Sequence, residues 1–207
     1  MRCLQLSPQE LNAVTKTLSR AEILDLTIDE WTRRGSYAEN NDRSRQELMG
    51  LSDISRAYFS SPSMKELRLS LGNYPSFHEI PKVSLDDFLV LPLSKSHLSV
   101  INFRNLPMKL GEMQTLVDSV KITAVFLSVE SMYILDSNWL EGIEVLRGLE
   151  NLEGLELKSP KGGAFGYRFV RTWPTVMMKE YVLRQTAKNP LIDWNGEDGM
   201  IVGSRAP

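Results

Sequence analysis

The sequence contains few residues of the kinds that usually carry chemistry. It has one cysteine, Cys3, and two histidines, His78 and His97, among 207 residues. A single cysteine excludes an internal disulfide and favours a reducing compartment, cytoplasmic or nuclear. Neither histidine has a second ligand at metal spacing, so we expect no metal, no cofactor and no catalytic residue.

Long apolar runs and strong net charge are also missing. The longest apolar runs, such as Phe88 to Leu93, are too short to span a bilayer core of ~30 Å, and no secretory signal follows Arg2. The formal charge of −2 gives no overall attraction to nucleic acid or to an anionic membrane. We therefore expect no membrane partner.

What the sequence does contain is a repeated pattern, with apolar residues at the first, fourth and sixth positions of a short segment. Each copy is an alternating, strand-like stretch followed by a helical one. Such a unit cannot bury its own apolar face and must stack on a neighbour. The good copies are Met64-Leu67-Leu69, Leu98-Ile101-Phe103, Ile122-Val125-Leu127 and Leu152-Leu155-Leu157, with weaker ones at Ala21-Leu24-Leu26 and Leu4-Leu6.

Helix starts lie between these copies. Ser7-Pro8-Gln9-Glu10 combines a capping serine, a first-turn proline and a glutamate at the capping-box position. Asn138-Trp139-Leu140-Glu141 begins another helix, an apolar stripe runs from Leu110 to Val120, and a last helix is predicted from Trp173-Pro174 through Ala187. Strand and helix therefore alternate, which predicts an α/β fold with parallel strands.

The repeated copies resemble the first half of the leucine-rich-repeat consensus, over about three quarters of the chain. Residues 138–157, with the closing Tyr181-Val182-Leu183 and Asn189-Pro190-Leu191, are similar to the leucine-rich region of fungal F-box-like proteins. The resemblance implies an irregular solenoid, with a curved parallel sheet on one face and helices on the other. It also implies the substrate-receptor part of an F-box-type ubiquitin ligase, with the F-box itself absent from this chain, which begins inside a repeat.

The repeats are unevenly spaced, which predicts insertions and irregular curvature. Leu106, Glu130 and Pro160 stand where the repeat consensus has a turn-bonding Asn or Cys. We expect the solenoid over 1–158 with a polar inserted loop near 33–47, a C-terminal capping segment over 159–192 and a flexible tail over 193–207. An ordinary α/β domain would give the same alternation and stays the alternative fold.

The residues between the apolar ones predict where a partner would bind. On such strands the apolar side chains point into the core and the intervening ones reach the opposite, concave surface. Arginines beside an exposed aromatic are typical of interface anchors, so we predict a protein partner on this surface. The predicted partner-binding residues are Arg68, Ser70, Asn102, Arg104, Phe126, Ser128, Glu156 and Lys158; the same rule also places Gln5, Asp25 and Thr27 there.

Two other functions stay open from the sequence. One is a small α/β enzyme that works through His97 or His78 with a nearby carboxylate. The other is a nucleic-acid binder, because residues 158–188 carry seven basic and one acidic side chain with interleaved aromatics. The same segment is also explained as a cap, whose aromatics cover the last repeat while its cations face the acidic residues of 84–157. The oligomeric state is left open.

Overall fold

The predicted α/β class with parallel strands is confirmed in the computed structural model, which describes residues 7–18, 20–28, 63–71, 97–161 and 172–192. The strands are β1 Ile23–Ile28, β2 Glu66–Leu71, β3 Val100–Arg104, β4 Pro107–Met108, β5 Phe126–Glu130, β6 Tyr133–Ile134 and β7 Gly154–Lys158. The helices are α1 Pro8–Leu18, α2 Leu110–Val120, α3 Trp139–Leu146 and α4 Thr172–Val182. The inserted loop near 33–47, the tail 193–207, the copy Leu4-Leu6, Gln5, Cys3 and His78 lie outside the described residues.

Five strands form one parallel sheet whose order follows the chain: β1, β2, β3, β5, β7. Two rows of apolar side chains cross its inner face in register, and nearly all of them belong to one buried cluster. The first row is Leu24, Leu67, Ile101, Leu127 and Leu155; the second is Leu26, Leu69, Phe103, Val129 and Leu157, of which Leu26 is only partly buried. The predicted inward positions of β1, β2, β3 and β7 are therefore correct.

The predicted copy Ile122-Val125-Leu127 is wrong by two residues. Ile122 is 65% exposed and Val125 is 36% exposed, and both precede the strand. The buried set is Ala124, Leu127 and Val129. Because side chains alternate with a period of two, a two-residue shift keeps the same residues inward, so Leu127 stays in the core.

The three last strands of the large sheet end in the same backbone bend. Asn105, Ser131 and Ser159 directly follow these strands and have φ values of 55°, 53° and 49°. The next residues, Leu106, Met132 and Pro160, are buried. The prediction that Glu130 stands at the turn is therefore wrong. Glu130 is the last residue of β5, and Met132 occupies the turn position.

Backbone hydrogen bonds connect the first two of these bends to the end of the next strand, although the consensus Asn or Cys is missing. The Asn105 N–H donates to Glu130 O and the Ser131 N–H donates to Lys158 O, each at 2.8 Å. The Asn105 side chain adds a buried hydrogen bond from Nδ2 to Leu71 O at 3.0 Å. Beyond the bends, β4 and β6 pair in parallel, and Tyr133 forms a further parallel bridge with Lys161.

Helices α2 and α3 contribute buried side chains to the core on the inner side of the sheet. At the start of α2, Glu112 Oε2 accepts from the Lys109 N–H at 2.7 Å, and Asp136 Oδ1 accepts from the Leu110 N–H at 2.8 Å. Asn138 caps α3 by accepting from the Glu141 N–H at 3.1 Å, as the sequence predicts. The buried stripe of α2 is Met113, Leu116, Val117 and Val120.

Capping is also confirmed at α1, whereas the predicted end of the last helix is wrong. The Ser7 N–H donates to Glu10 Oε2 at 2.8 Å, as a capping box requires. Helix α4 ends at Val182, not Ala187, because Arg184 takes up a left-handed conformation with φ 60°. Helix α4 packs against α3 and β7 through Met178, Tyr181 and Val182. None of the helices in the described ranges has the length and apolar content needed to cross a membrane.

Candidate functional site

The face of the five-stranded sheet opposite the core carries three rows of side chains, here called the exposed sheet face. The amino row is Ile23, Glu66, Val100, Phe126 and Gly154; the middle row is Asp25, Arg68, Asn102, Ser128 and Glu156; the carboxyl row is Thr27, Ser70, Arg104, Glu130 and Lys158. None of these residues is buried. All eight predicted partner-binding residues lie on this face, together with Asp25 and Thr27.

The sequence rule missed five members of the face. Ile23, Glu66, Val100 and Gly154 begin their strands, and the apolar pattern alone did not show that the strands start this early. Glu130 was assigned to a turn because of the two-residue shift in β5. Extending the period of two by one step towards the amino end of each strand would have found the first four.

Arg68 lies at the centre of the first group of contacts on this face. Its Nε is 2.6 Å from Glu66 Oε1, and its guanidinium is also 3.6 Å from Asp25 Oδ2. Asn102 Nδ2 donates to the same Glu66 oxygen at 3.2 Å. The hydrogen bond to Glu66 raises the pKa of Arg68 further, so the guanidinium stays charged. These contacts link β1, β2 and β3 across the middle of the face.

A second group joins β3, β5 and β7. Arg104 Nε is 3.5 Å from Glu130 Oε1, and Lys158 Nζ is 2.8 Å from Glu156 Oε2. Ser128 Oγ donates to the same Glu156 oxygen at 3.4 Å. The hydrogen bond from Lys158 lowers the pKa of Glu156, and the reciprocal bond raises the pKa of Lys158. Every cation of the face thus has a carboxylate neighbour within the face.

The amino row is different, because it is largely apolar. A Cβ placed on Gly154 would lie 2.6 Å from Phe126 Cδ2, so the Phe126 ring lies directly over the glycine backbone. Val100 is the register partner of Phe126 on the adjacent strand. Phe126, Val100 and Gly154 therefore form a partly exposed apolar shelf at one end of the face.

The other candidate sites of the sequence are less well supported by the described residues. His97 is exposed just before β3. Within the described ranges, no three His, Cys, Asp or Glu side chains come together as a metal site would require. A cavity of about 10 Å³ in the core, lined by apolar residues such as Met108, Met113 and Met132, has room for about one water molecule.

Several of the basic and aromatic residues of 158–188 that the structure describes make contacts within the fold. The Tyr181 hydroxyl donates to the Glu144 carboxylate, with oxygen distances of 2.7 and 2.8 Å, and its ring lies 4.1 Å from the Arg147 guanidinium. Lys161 is buried, with Nζ 5.0 Å from the centre of the Tyr133 ring, and burial lowers its pKa. Tyr181 is therefore not available to stack on a base. Phe165, Tyr167, Phe169 and the Trp173 side chain lie outside the described part.

Comparisons with protein-family models, with curated proteins and with solved structures find no match for this chain.

Proposed function

We propose that the chain is a non-enzymatic protein-interaction module, a leucine-rich-repeat-like solenoid that holds a protein partner against the exposed sheet face. The strands follow one another across the sheet in chain order, and the same left-handed bend recurs after three of them. Units that repeat in this way are typical of stacked arrays, which present one continuous strand surface.

The observation that carries the proposal is the accessibility of one whole face of a parallel sheet. In ordinary α/β domains, helices cover both faces of a parallel sheet, and its strands are buried on both sides. Here the side chains of the inner rows are mostly buried, whereas every residue of the exposed sheet face is partly or fully exposed. The face also carries two arginines and a partly exposed phenylalanine. Arginine and aromatic residues are enriched at interfaces.

The identity of the partner class follows from the resemblance of residues 138–157 and 181–191 to F-box-like proteins. On that resemblance, we further propose that the partner is a substrate presented to a ubiquitin ligase. Residues 181–191 pack on α3 through contacts such as Asn189 Nδ2 to Glu144 Oε1 at 2.7 Å. This packing supports a capping role for the C-terminal segment, because the end of a stacked array needs a cover.

The double variant Arg68→Ala with Arg104→Ala tests the proposal. Arg68 lies in the middle row of the face and Arg104 in its carboxyl row, and both are about half exposed, so their removal should change the thermal midpoint little. Retention of a co-purifying protein partner from the source organism should fall at least ~10-fold, the equivalent of about 1.4 kcal/mol of binding free energy.

A matched control carries the same loss of charge away from the face. Lys109→Ala with Lys121→Ala removes two exposed cations that flank α2. This control should retain the partner at the wild-type level. Equal retention by all three proteins would show that the partner binds elsewhere.

A further inference from the structure

The exposed sheet face is not uniform along its strands. Its amino row presents the apolar shelf of Val100, Phe126 and Gly154, and its carboxyl row presents charged groups at the ends of β3, β5 and β7. A partner that covers the face must therefore be apolar at one end and polar at the other. Since the shelf is only partly buried, a further apolar side chain placed on it would be removed from water.

On the charged part of the face, the cationic side chains are more exposed than the carboxylates they pair with. In three in-face pairs the cation is more exposed than its carboxylate: Arg68 49% against Glu66 18%, Arg104 57% against Glu130 39%, and Lys158 60% against Glu156 45%. Asp25, at 57%, is the exception among the carboxylates of the face. An approaching segment therefore meets N–H donors first over β3 and β7.

Arg104 is the best placed of these cations. Its contact with Glu130 uses Nε and is long, at 3.5 Å. A guanidinium has five N–H donors in a planar fork, which fits a carboxylate with two parallel hydrogen bonds. The remaining N–H groups of Arg104 can therefore donate to a partner's carboxylate while Nε keeps its contact with Glu130.

The charge balance of the face limits how acidic the partner can be. Four carboxylates (Asp25, Glu66, Glu130 and Glu156) stand with three cations (Arg68, Arg104 and Lys158), so the face has a formal charge of −1. A long acidic run would be repelled by these carboxylates. The same balance disfavours nucleic acid, whose binding depends on cations that neutralise phosphates. One carboxylate at one position fits this pattern.

From these observations, and resting on the proposed function, we infer that the partner docks through an extended protein segment with two features. One is an aromatic or large aliphatic side chain on the shelf of Val100 and Phe126. The other is a single carboxylate on Arg104. The amino and carboxyl rows are four residues apart along a strand, about 13 Å. In an extended segment lying along the strands, the anchor and the carboxylate are therefore four residues apart.

Selection from a displayed library of random peptides, with the full chain as target, tests the inference. The recovered peptides should share an aromatic or aliphatic residue and one Asp or Glu four positions away. Binding of synthetic copies should weaken at least ~10-fold in Phe126→Ala and in Arg104→Gln, each about 1.4 kcal/mol. Lys109→Gln, at the start of α2 and outside the exposed sheet face, should bind as the wild type does. Thermal midpoints confirm that the three variants are folded.

Each other outcome counts against a stated part of the proposal. Peptides that depend on Phe126 but are enriched in basic or uncharged residues would overturn the inference and leave the proposed function standing. Peptides insensitive to both variants, or none recovered, would overturn both. Binding of a labelled single-stranded oligonucleotide that Arg104→Gln abolishes would replace the protein partner with nucleic acid.

Discussion

At the scale of single residues, the recurring left-handed bend is the feature with the clearest energetic consequence. A side chain other than glycine in this region costs roughly 1–2 kcal/mol, because Cβ approaches the following carbonyl oxygen. Asn is among the non-glycine residues that adopt this region most often, and Asn105 offsets part of the cost with its buried bond to Leu71 O. The apolar repeat pattern does not predict the bends at Asn105, Ser131 and Ser159.

Substitutions at Ser131 should affect stability differently from the same substitutions at an ordinary strand position, because Ser131 has a positive φ. Ser131→Gly should leave the free energy of unfolding unchanged or raise it by up to ~1 kcal/mol, whereas Ser131→Val should lower it by about 1–2 kcal/mol. At Ser128, in the middle of β5, the order should reverse, because valine suits a strand and glycine does not. Urea denaturation of the four variants measures both orders, and the same order at both positions would contradict the assigned backbone.

The paired charges of the face should be visible in the titration of Glu156. Its pKa lies below the ordinary value because of the hydrogen bond from Lys158, so Lys158→Gln should raise the pKa towards that of an unpaired glutamate. A depressed folded pKa contributes stability above the unfolded pKa, and this contribution is lost as pH falls through the folded pKa. The effect on stability is small because both groups are largely solvated.

Carbon-detected NMR titration of the Glu156 carboxyl measures this shift directly. Lys65→Gln is the control, because Lys65 pairs with Glu22 at 3.1 Å and makes no contact with Glu156. An unchanged Glu156 pKa in Lys158→Gln would show that the pair is not formed in solution.

The sequence predicts inward and outward residues well but cannot fix where each strand starts. Ile122 and Val125 have the right spacing and apolarity, yet they lie in the connection before β5, and the small Ala124 takes the buried place. Alternation alone cannot exclude a shift of two residues, because such a shift exchanges no inward residue for an outward one. This is why Phe126 and Ser128 were assigned correctly while Glu130 was missed.

At the scale of whole elements, two helix glycines have opposite surroundings. Gly111, in the first turn of α2, has no heavy atom within 4 Å of the place that a Cβ would occupy, so nothing opposes a methyl group there. Gly142 in α3 is buried, and its Cβ would lie 2.6 Å from Ile134 Cδ1. Gly142 therefore allows α3 to approach the short strand β6 closely.

Alanine at these two positions should have opposite effects. Gly111→Ala should raise the free energy of unfolding by about 0.5–1 kcal/mol through helix propensity. Gly142→Ala has the same propensity gain but must displace Ile134, and we expect a net loss of about 1 kcal/mol. Urea denaturation measures both. A gain in Gly142→Ala equal to that in Gly111→Ala would contradict the close packing of α3 on β6.

Helix starts were predictable from the sequence because capping is local. Ser7 with Glu10, and Asn138 with Glu141, make the bonds their spacing indicates. The second ladder of β4 and β6 was not predictable, since each strand has two residues and carries no periodic signal. The end of α4 was also missed, because a positive φ at an arginine has no distinctive local pattern.

At the scale of the whole molecule, five parallel strands share one core on one side and leave the other side accessible. On the inner side, α2 and α3 contribute buried residues to that core, and the exposed surface of α2 carries polar residues such as Gln114 and Asp118. The exposed sheet face combines an apolar shelf with paired charges. A partner should therefore distinguish the two sides of the molecule sharply.

A photo-crosslinking side chain placed at one position at a time tests most directly which side binds the partner. Ser70 lies in the carboxyl row of the exposed sheet face, and Asp118 lies on the exposed surface of α2. In cells of the source organism, the probe at Ser70 should yield a discrete adduct that Arg68→Ala with Arg104→Ala removes, and the probe at Asp118 should yield none. The same adduct from Asp118, with none from Ser70, would contradict a partner on the exposed sheet face.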